Sequence, residues 1–270
     1  MLFAAEAAEE ESPFVELINH LTPHHYGWAP HWEIAGIDFS PTNAVVNMWL
    51  AALLVIGIFM VAASKSGIIP KGITNFVEMA MDFVKNNIVY SVMNAKDARA
   101  WFPFVATTFF FILFMNLVGL VPYIGFTATS NIFVTAALAV NIYLMAVAIG
   151  MARHGPLKFW RKTVVPSDVP KALLPLMVPI EIISQLARPF SLAVRLFANM
   201  LAGHVILYIF VGFIFLVGST FTLAHLAVIP VAMVMEIGFT AFEVFVSFIQ
   251  AVIFAFLATI YINDALHPGH

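Results

Sequence analysis

An arginine stands in this chain where a charge is hardest to keep. Arg195 lies inside residues 181–204, EIISQLARPFSLAVRLFANMLAGH, and the flanking stretches LMVPI and VILYIFVGFIFLVG carry no charge. A guanidinium at bilayer depth costs about 2.5–3.5 kcal/mol on insertion scales, so such a residue is a functional candidate by default. At 100° per residue, Glu181, Ser184, Arg188, Ser191, Arg195 and Asn199 fall within about 80° of helix circumference and form one polar stripe. Glu236, Thr240, Glu243, Ser247 and Gln250 form a second stripe of about the same width. Two facing helices with buried polar stripes would make a path, and Glu181, Glu236 and Glu243 are the groups in it able to exchange protons. Arginine keeps its charge throughout, so Arg195 would attract a carboxylate and interrupt a proton wire. The plainer reading of Arg195 is a structural ion pair with Glu181 or Glu236. Arg188, beside Pro189, reads as structural or headgroup-facing, Asn116 as a helix–helix contact, and Ser184, Ser191 and Ser247 as further channel-lining candidates.

The elements that must position these side chains are membrane helices. Of 270 residues 62% are hydrophobic and only 10% charged, against about 25% charged in a soluble domain. The expected fold is all-α and polytopic, with about five membrane-embedded helices and one amphipathic interfacial helix. A first span is read at residues 43–63. Residues 72–93 follow, with Ile73, Phe76, Val77, Ala80, Met81, Val84 and Ile88 at three- and four-residue steps, as in an interfacial helix. Apolar stretches at 101–121 and 132–151 read as the second and third spans, and 152–171 as a polar loop. Two very long helices, 171–217 and 220–263, complete a single membrane domain over 41–270. Each far exceeds the roughly 20 residues of a perpendicular span, so both must tilt, bend or lie partly in the plane. Pro175, Pro179, Pro189 and Pro230 are the expected bends.

Charge placement sets an expected orientation. Ten of the twelve Lys and Arg residues fall in two segments, 65–99 and 153–171, which read as the cytoplasmic loops. Residues 1–40 hold seven acidic residues and no Lys or Arg, so this segment is placed outside and the C-terminus in the cytoplasm. It has neither the basic start of a secretory signal nor the arginines of a transit peptide. His20, His24, His25 and His31 admit a metal site, but with Trp28 and Trp32 they read better as a membrane-interface segment. The absence of cysteine excludes disulfides, a thiolate nucleophile and a Cys-ligated metal.

The run 191–204, SLAVRLFANMLAGH, resembles the signature of the a subunits of F-type ATP synthases. The resemblance extends to FFFILFMNLVGLVP at 109–122, to PIEIISQLARPFSL at 179–192 and to EVFVSFIQAVIFAFLATIYI at 243–262. It implies a stator channel beside a rotating ring of c subunits, held by peripheral-stalk b subunits within the larger complex and embedded in lipid, with no cofactor, metal, nucleic acid or covalent chemistry of its own. Arg195 matches the arginine that faces the carboxylate of each passing c subunit, Asn199 supports that surface, and Gln250 lies across from Arg195. Glu181 would belong to the cytoplasmic half-channel, and Glu236, Glu243 and His204 to the outer one. Some bacterial members carry the acid at the position of His204 and the histidine at that of Glu243, an exchange that implies the two are neighbours. A bacterial plasma membrane is the expected location, with the mitochondrial inner membrane as the alternative.

Two other classes fit the sequence less well. A secondary ion transporter with a midplane arginine would show paired internal repeats, and the Arg195 motif has no second copy. An intramembrane enzyme would need a nucleophile or metal constellation, and the chain has no H-E-x-x-H and no G-x-S-x-G.

Overall fold

A computed structural model describes residues 33–34, 37–38, 40–64, 71–121, 127–165, 170–218 and 225–268. The four N-terminal histidines, and the turn expected between the two long helices, lie outside the described residues. The fold is all-α apart from one antiparallel pair of two-residue strands, β1 (Glu33–Ile34) and β2 (Ile37–Asp38), with Glu33 opposite Asp38.

Five helices are long and apolar enough to cross a membrane. The first, α1 (Asn43–Ser64), buries Asn43, Ala44, Asn47 and Ala51 along one stripe against the third helix and exposes Leu53 and Met60 on the other side. That is the pattern of a helix with one protein face and one lipid face.

The amphipathic segment is more irregular than its spacing predicts. Helix α2 (Ile73–Phe83) continues without a break into a π-helical stretch, Val84–Val89, and a last turn, Tyr90–Val92. The wider turn re-phases the helix so that Val84, Ile88 and Val89 are all fully buried, while Phe76 and Met79 stay exposed.

The second span, α3 (Ala95–Gly119), is started by Asn94, whose side-chain oxygen accepts from the backbone N–H groups of Lys96 and Asp97 at 3.2 and 3.0 Å. This satisfies two of the donors that a helix start leaves free. After a 3₁₀ turn, Ala128–Ser130, the third span α4 (Ile132–His154) is capped in the same way by Asn131. It stops at Gly155, whose φ of 81° suits glycine.

The segment read as a polar loop contains a helix. Pro156 opens α5 (Pro156–Val164), a position where its missing N–H costs nothing. Gly150 on α4 admits the Phe159 ring, since a Cβ there would overlap it, and this packs α5 back on the bundle.

The long hairpin consists of α6 (Leu174–Gly218) and α7 (His225–Leu266), of 45 and 42 residues. At 1.5 Å per residue each is roughly twice the length needed to cross a 30 Å core. Pro179, Pro189 and Pro230 lie inside these helices, whereas Pro175 is the second residue of α6 and opens it rather than bending it. Leu192, Leu196 and Met200 recur every four residues on α6 and meet Ala251, Phe254, Ala255, Ala258 and Ile262 of α7 in one core. α7 also packs on α3, and α4 packs on both members of the hairpin.

Candidate functional site

The antiparallel course of α6 and α7 leaves between them a cleft of about 430 Å³, with Arg195, Asn199 and Gly203 on one wall and Glu243, Val246 and Gln250 on the other. Four of the polar residues singled out from the sequence, one stripe's Arg195 and Asn199 and the other's Glu243 and Gln250, thus share one cavity. The two stripes differ in how they lie. Glu243, Ser247 and Gln250 are buried, but Arg195, Asn199, Ser184 and Ser191 are exposed and Glu181 and Arg188 half-buried. The expectation of a buried stripe on α6 is therefore corrected. Helical periodicity tells which residues share a face, not where that face points.

Arg195 makes no hydrogen bond or ion pair among the described residues, so the plainer reading, a partnership with Glu181 or Glu236, is not realised there. Glu181 instead accepts from the Gln185 amide at 2.9 Å. Glu236 lies in a separate hollow with Met233, Ile237 and Thr240. Around Arg195 the outer face is apolar, with Leu186, Phe190, Phe242 and Phe245 all more than half exposed. One fixed charge in such a surface fits a partner that is itself apolar and presents an anion.

At the floor of the cleft the Asn199 amide donates to the Gln250 side-chain oxygen at 3.1 Å. Deeper in, Glu243 is 4% exposed and neither carboxylate oxygen has a hydrogen-bond partner among the described residues, yet His204 Nδ1 is 3.5 Å from Oε1. Gly203 makes this possible, because a Cβ there would overlap the Glu243 carboxylate. His204 itself is fixed through Nδ1, which meets the Met200 carbonyl at 2.9 Å, and through Nε2, which meets Thr127 Oγ1 at 2.6 Å and the Gly119 carbonyl at 3.3 Å. Asn116 is fully buried and accepts from Thr129 Oγ1 at 2.7 Å, which joins α3 to the 3₁₀ turn.

The other end of the bundle carries a different cluster. Arg188 donates to Asp264 at 3.1 Å and lies over the Tyr261 ring. Nearby, Asp97 collects Asn94 at 2.8 Å, His267 at 3.0 Å and Arg153 at 3.3 Å, joining the start of α3 to the ends of α4 and α7. Arg195 stands between these two polar ends, nine residues from His204 and seven from Arg188 along α6. Among the described residues no group of three or more His, Asp or Glu side chains is placed to hold a metal ion.

Sequence reasoning did not single out Thr127, Asp97 or Asp264. Each gains its meaning from a partner on another element, which no local spacing reveals.

Residues 45–263 match the family described as ATP synthase A chain. The chain belongs to that family. Proteins described as "ATP synthase subunit a" are similar over most of its length. The one from Hyphomonas neptunium is 41% identical over 251 residues, covering 92% of this chain and 96% of the relative. Those from Parvibaculum lavamentivorans and Agrobacterium fabrum are 43% and 44% identical, each covering 88% of this chain and 89% and 93% of the relative. The matched region of this ATP synthase A chain member includes the whole Arg195 cleft with His204 and Thr127. It stops one residue short of Asp264 and excludes the acidic N-terminal forty residues.

Proposed function

We propose that this chain is the a subunit of an F-type ATP synthase, the stator half of its proton path, and carries out no covalent chemistry itself. The observation that carries the reading is Arg195: a cation unpaired among the described residues, on an apolar outer face, at the mouth of a cleft whose inner wall holds Glu243, with His204 behind it at 3.5 Å from the carboxylate. A ring of c subunits, each presenting a carboxylate, would pass over this face. As each carboxylate arrives, the guanidinium favours its ionised form and separates two offset half-channels, so protons cross only with rotation. The Glu243–His204 end supports an outer half-channel. Glu181, with the exposed edge of α6 at Ser184, supports the cytoplasmic one. Peripheral-stalk b subunits would hold the chain against the turning ring, in a bacterial plasma membrane with the N-terminus outside and the C-terminus inside.

The deciding experiment is acidification of inverted vesicles on ATP addition, with the assembled complex carrying Arg195 or Arg195→Ala. Loss of pumping in the variant at unchanged assembly is expected, with the parent signal collapsing on addition of a protonophore and indifferent to sodium. Pumping that survives without Arg195, or that this chain sustains without the ring, sinks the reading.

A further inference from the structure

His204 is buried, and if it carries protons its ring must be accommodated both neutral and charged. This inference therefore rests on the reading of the Glu243–His204 pair given above. Around the two ring nitrogens stand the Met200 carbonyl and Glu243 carboxylate at Nδ1, and the Gly119 carbonyl and Thr127 hydroxyl at Nε2. Carbonyls and ionised carboxylates only accept, whereas a hydroxyl both donates and accepts. Among the described residues, Thr127 is thus the one neighbour of the ring that can serve Nε2 in either state. In the neutral ring, Nδ1–H donates to the Met200 carbonyl and the lone pair of Nε2 accepts the Thr127 hydroxyl proton. In the charged ring, Nε2–H donates to the same oxygen after the hydroxyl has turned, with the Gly119 carbonyl as second acceptor.

We propose that Thr127 is a positioning residue for proton passage: its hydroxyl holds the His204 ring beside Glu243 and lets Nε2 gain and lose a proton without leaving a buried nitrogen unpaired. The site is built to hold that one hydroxyl. Thr127 is fully buried, and its own carbonyl accepts from Ser130 Oγ at 2.7 Å and from Ser130 N–H at 2.9 Å. The next residue but one, Thr129, is tied to Asn116 on α3. A Cβ on Gly119 would overlap Thr127 Oγ1, so only glycine there lets the hydroxyl reach the ring. The remaining titratable groups against the ring are Glu243 from α7 and Tyr208, one turn along α6, with ring centroids 6.5 Å apart. Valine at 127 keeps the shape but leaves Nε2 facing a lone carbonyl, which can stabilise only the protonated nitrogen.

The test measures initial rates of ATP-driven proton pumping in inverted vesicles holding the whole complex, normalised to assembled complex. Thr127→Val is expected to pump about fivefold to tenfold slower, the rate equivalent of one hydrogen bond. Thr127→Ser should restore the rate to within about twofold of the parent, because the hydroxyl returns. Gly119→Ala, whose methyl would overlap Oγ1, Cβ and Cα of Thr127 and so push the whole residue off the ring, should be slowed at least as much as the valine variant. Parent-like pumping by Thr127→Val, or a serine variant as slow as valine, overturns the proposal. So does a valine variant that fails to assemble while serine is normal, since the hydroxyl then serves the fold alone. His204→Ala and Glu243→Gln run alongside separate this inference from the reading beneath it. Parent-like rates in both remove the pair from the path, whereas slow rates in both with a fast Thr127→Val remove only Thr127.

Discussion

Asn199 and Gln250 close the floor of the Arg195 cleft: the amide of one donates to the side-chain oxygen of the other at 3.1 Å, across the α6–α7 interface and one helical turn from Arg195. Gln250 is buried and Asn199 lies at the exposed edge, so the bond joins the interior of the hairpin to the rim on which Arg195 sits. It fixes how far apart the two walls stand where the fixed charge must act.

Breaking that bond should loosen the cleft without dismantling the hairpin, which rests on an apolar core. Asn199→Leu and Gln250→Leu are each expected to slow pumping several-fold, with a cost to the interface of about 1 kcal/mol. The double variant should be scarcely slower than either single one, because both remove the same contact. Pumping rates from the four proteins close the cycle, and additive losses would mean that the two side chains act separately.

Glu236 and Glu243 share a helical stripe, yet only Glu243 opens on the cleft. Glu243→Gln should therefore slow proton flux by a larger factor than Glu236→Gln, whose carboxylate lies about two turns away in its own hollow. Passive proton flux through the membrane sector, measured with the catalytic part removed, reads the difference. Equal losses would put Glu236 on the same path.

The two residues differ in this way for a reason that the sequence could not carry. Apolar length and missing charge made the five long helices legible, and the residues on each stripe follow from 100° per residue. The direction in which a stripe points depends on neighbours far along the chain, so Arg195 was expected inside and stands at an open edge. Helix α5 was hidden because its cations made residues 152–171 resemble a loop, while the signal for helix was only the Gly155–Pro156 start. The π-helical stretch Val84–Val89 has no spacing signature of its own. His204 and Glu243 were readable as neighbours only through the exchanged arrangement in related chains. Thr127, 77 residues from His204, had no such clue.

Asp97 joins three helices at the end of α3 remote from His204, through Asn94, Arg153 and His267. Asp97→Asn keeps the shape but gives up the charge-assisted bonds. The Arg153 partner is 42% exposed, so solvent screens that part, and the total loss should be about 1–2 kcal/mol. The expected result is a lower unfolding midpoint for the detergent-solubilised complex, with pumping per assembled complex close to the parent. A selective loss of pumping at unchanged stability would move Asp97 from the fold to the path.

Gly203 offers the most local test of the cleft. Its missing Cβ leaves the space that the Glu243 carboxylate occupies, beside His204. Gly203→Ala forces the carboxylate aside, and because it is buried with no hydrogen-bond partner among the described residues, none of them holds it in a compensating position. Pumping should fall by about tenfold, since a reacting group displaced by about 1 Å can lose that much or more. Glu243→Asp alone should also be slow, because the shorter side chain withdraws from His204. Combined, the two changes should restore part of the rate, as the added methyl fills what the lost methylene vacates. Rates measured for the two single variants and the double decide the matter. A double variant slower than both singles would show that Gly203 serves helix packing and not the placement of the carboxylate.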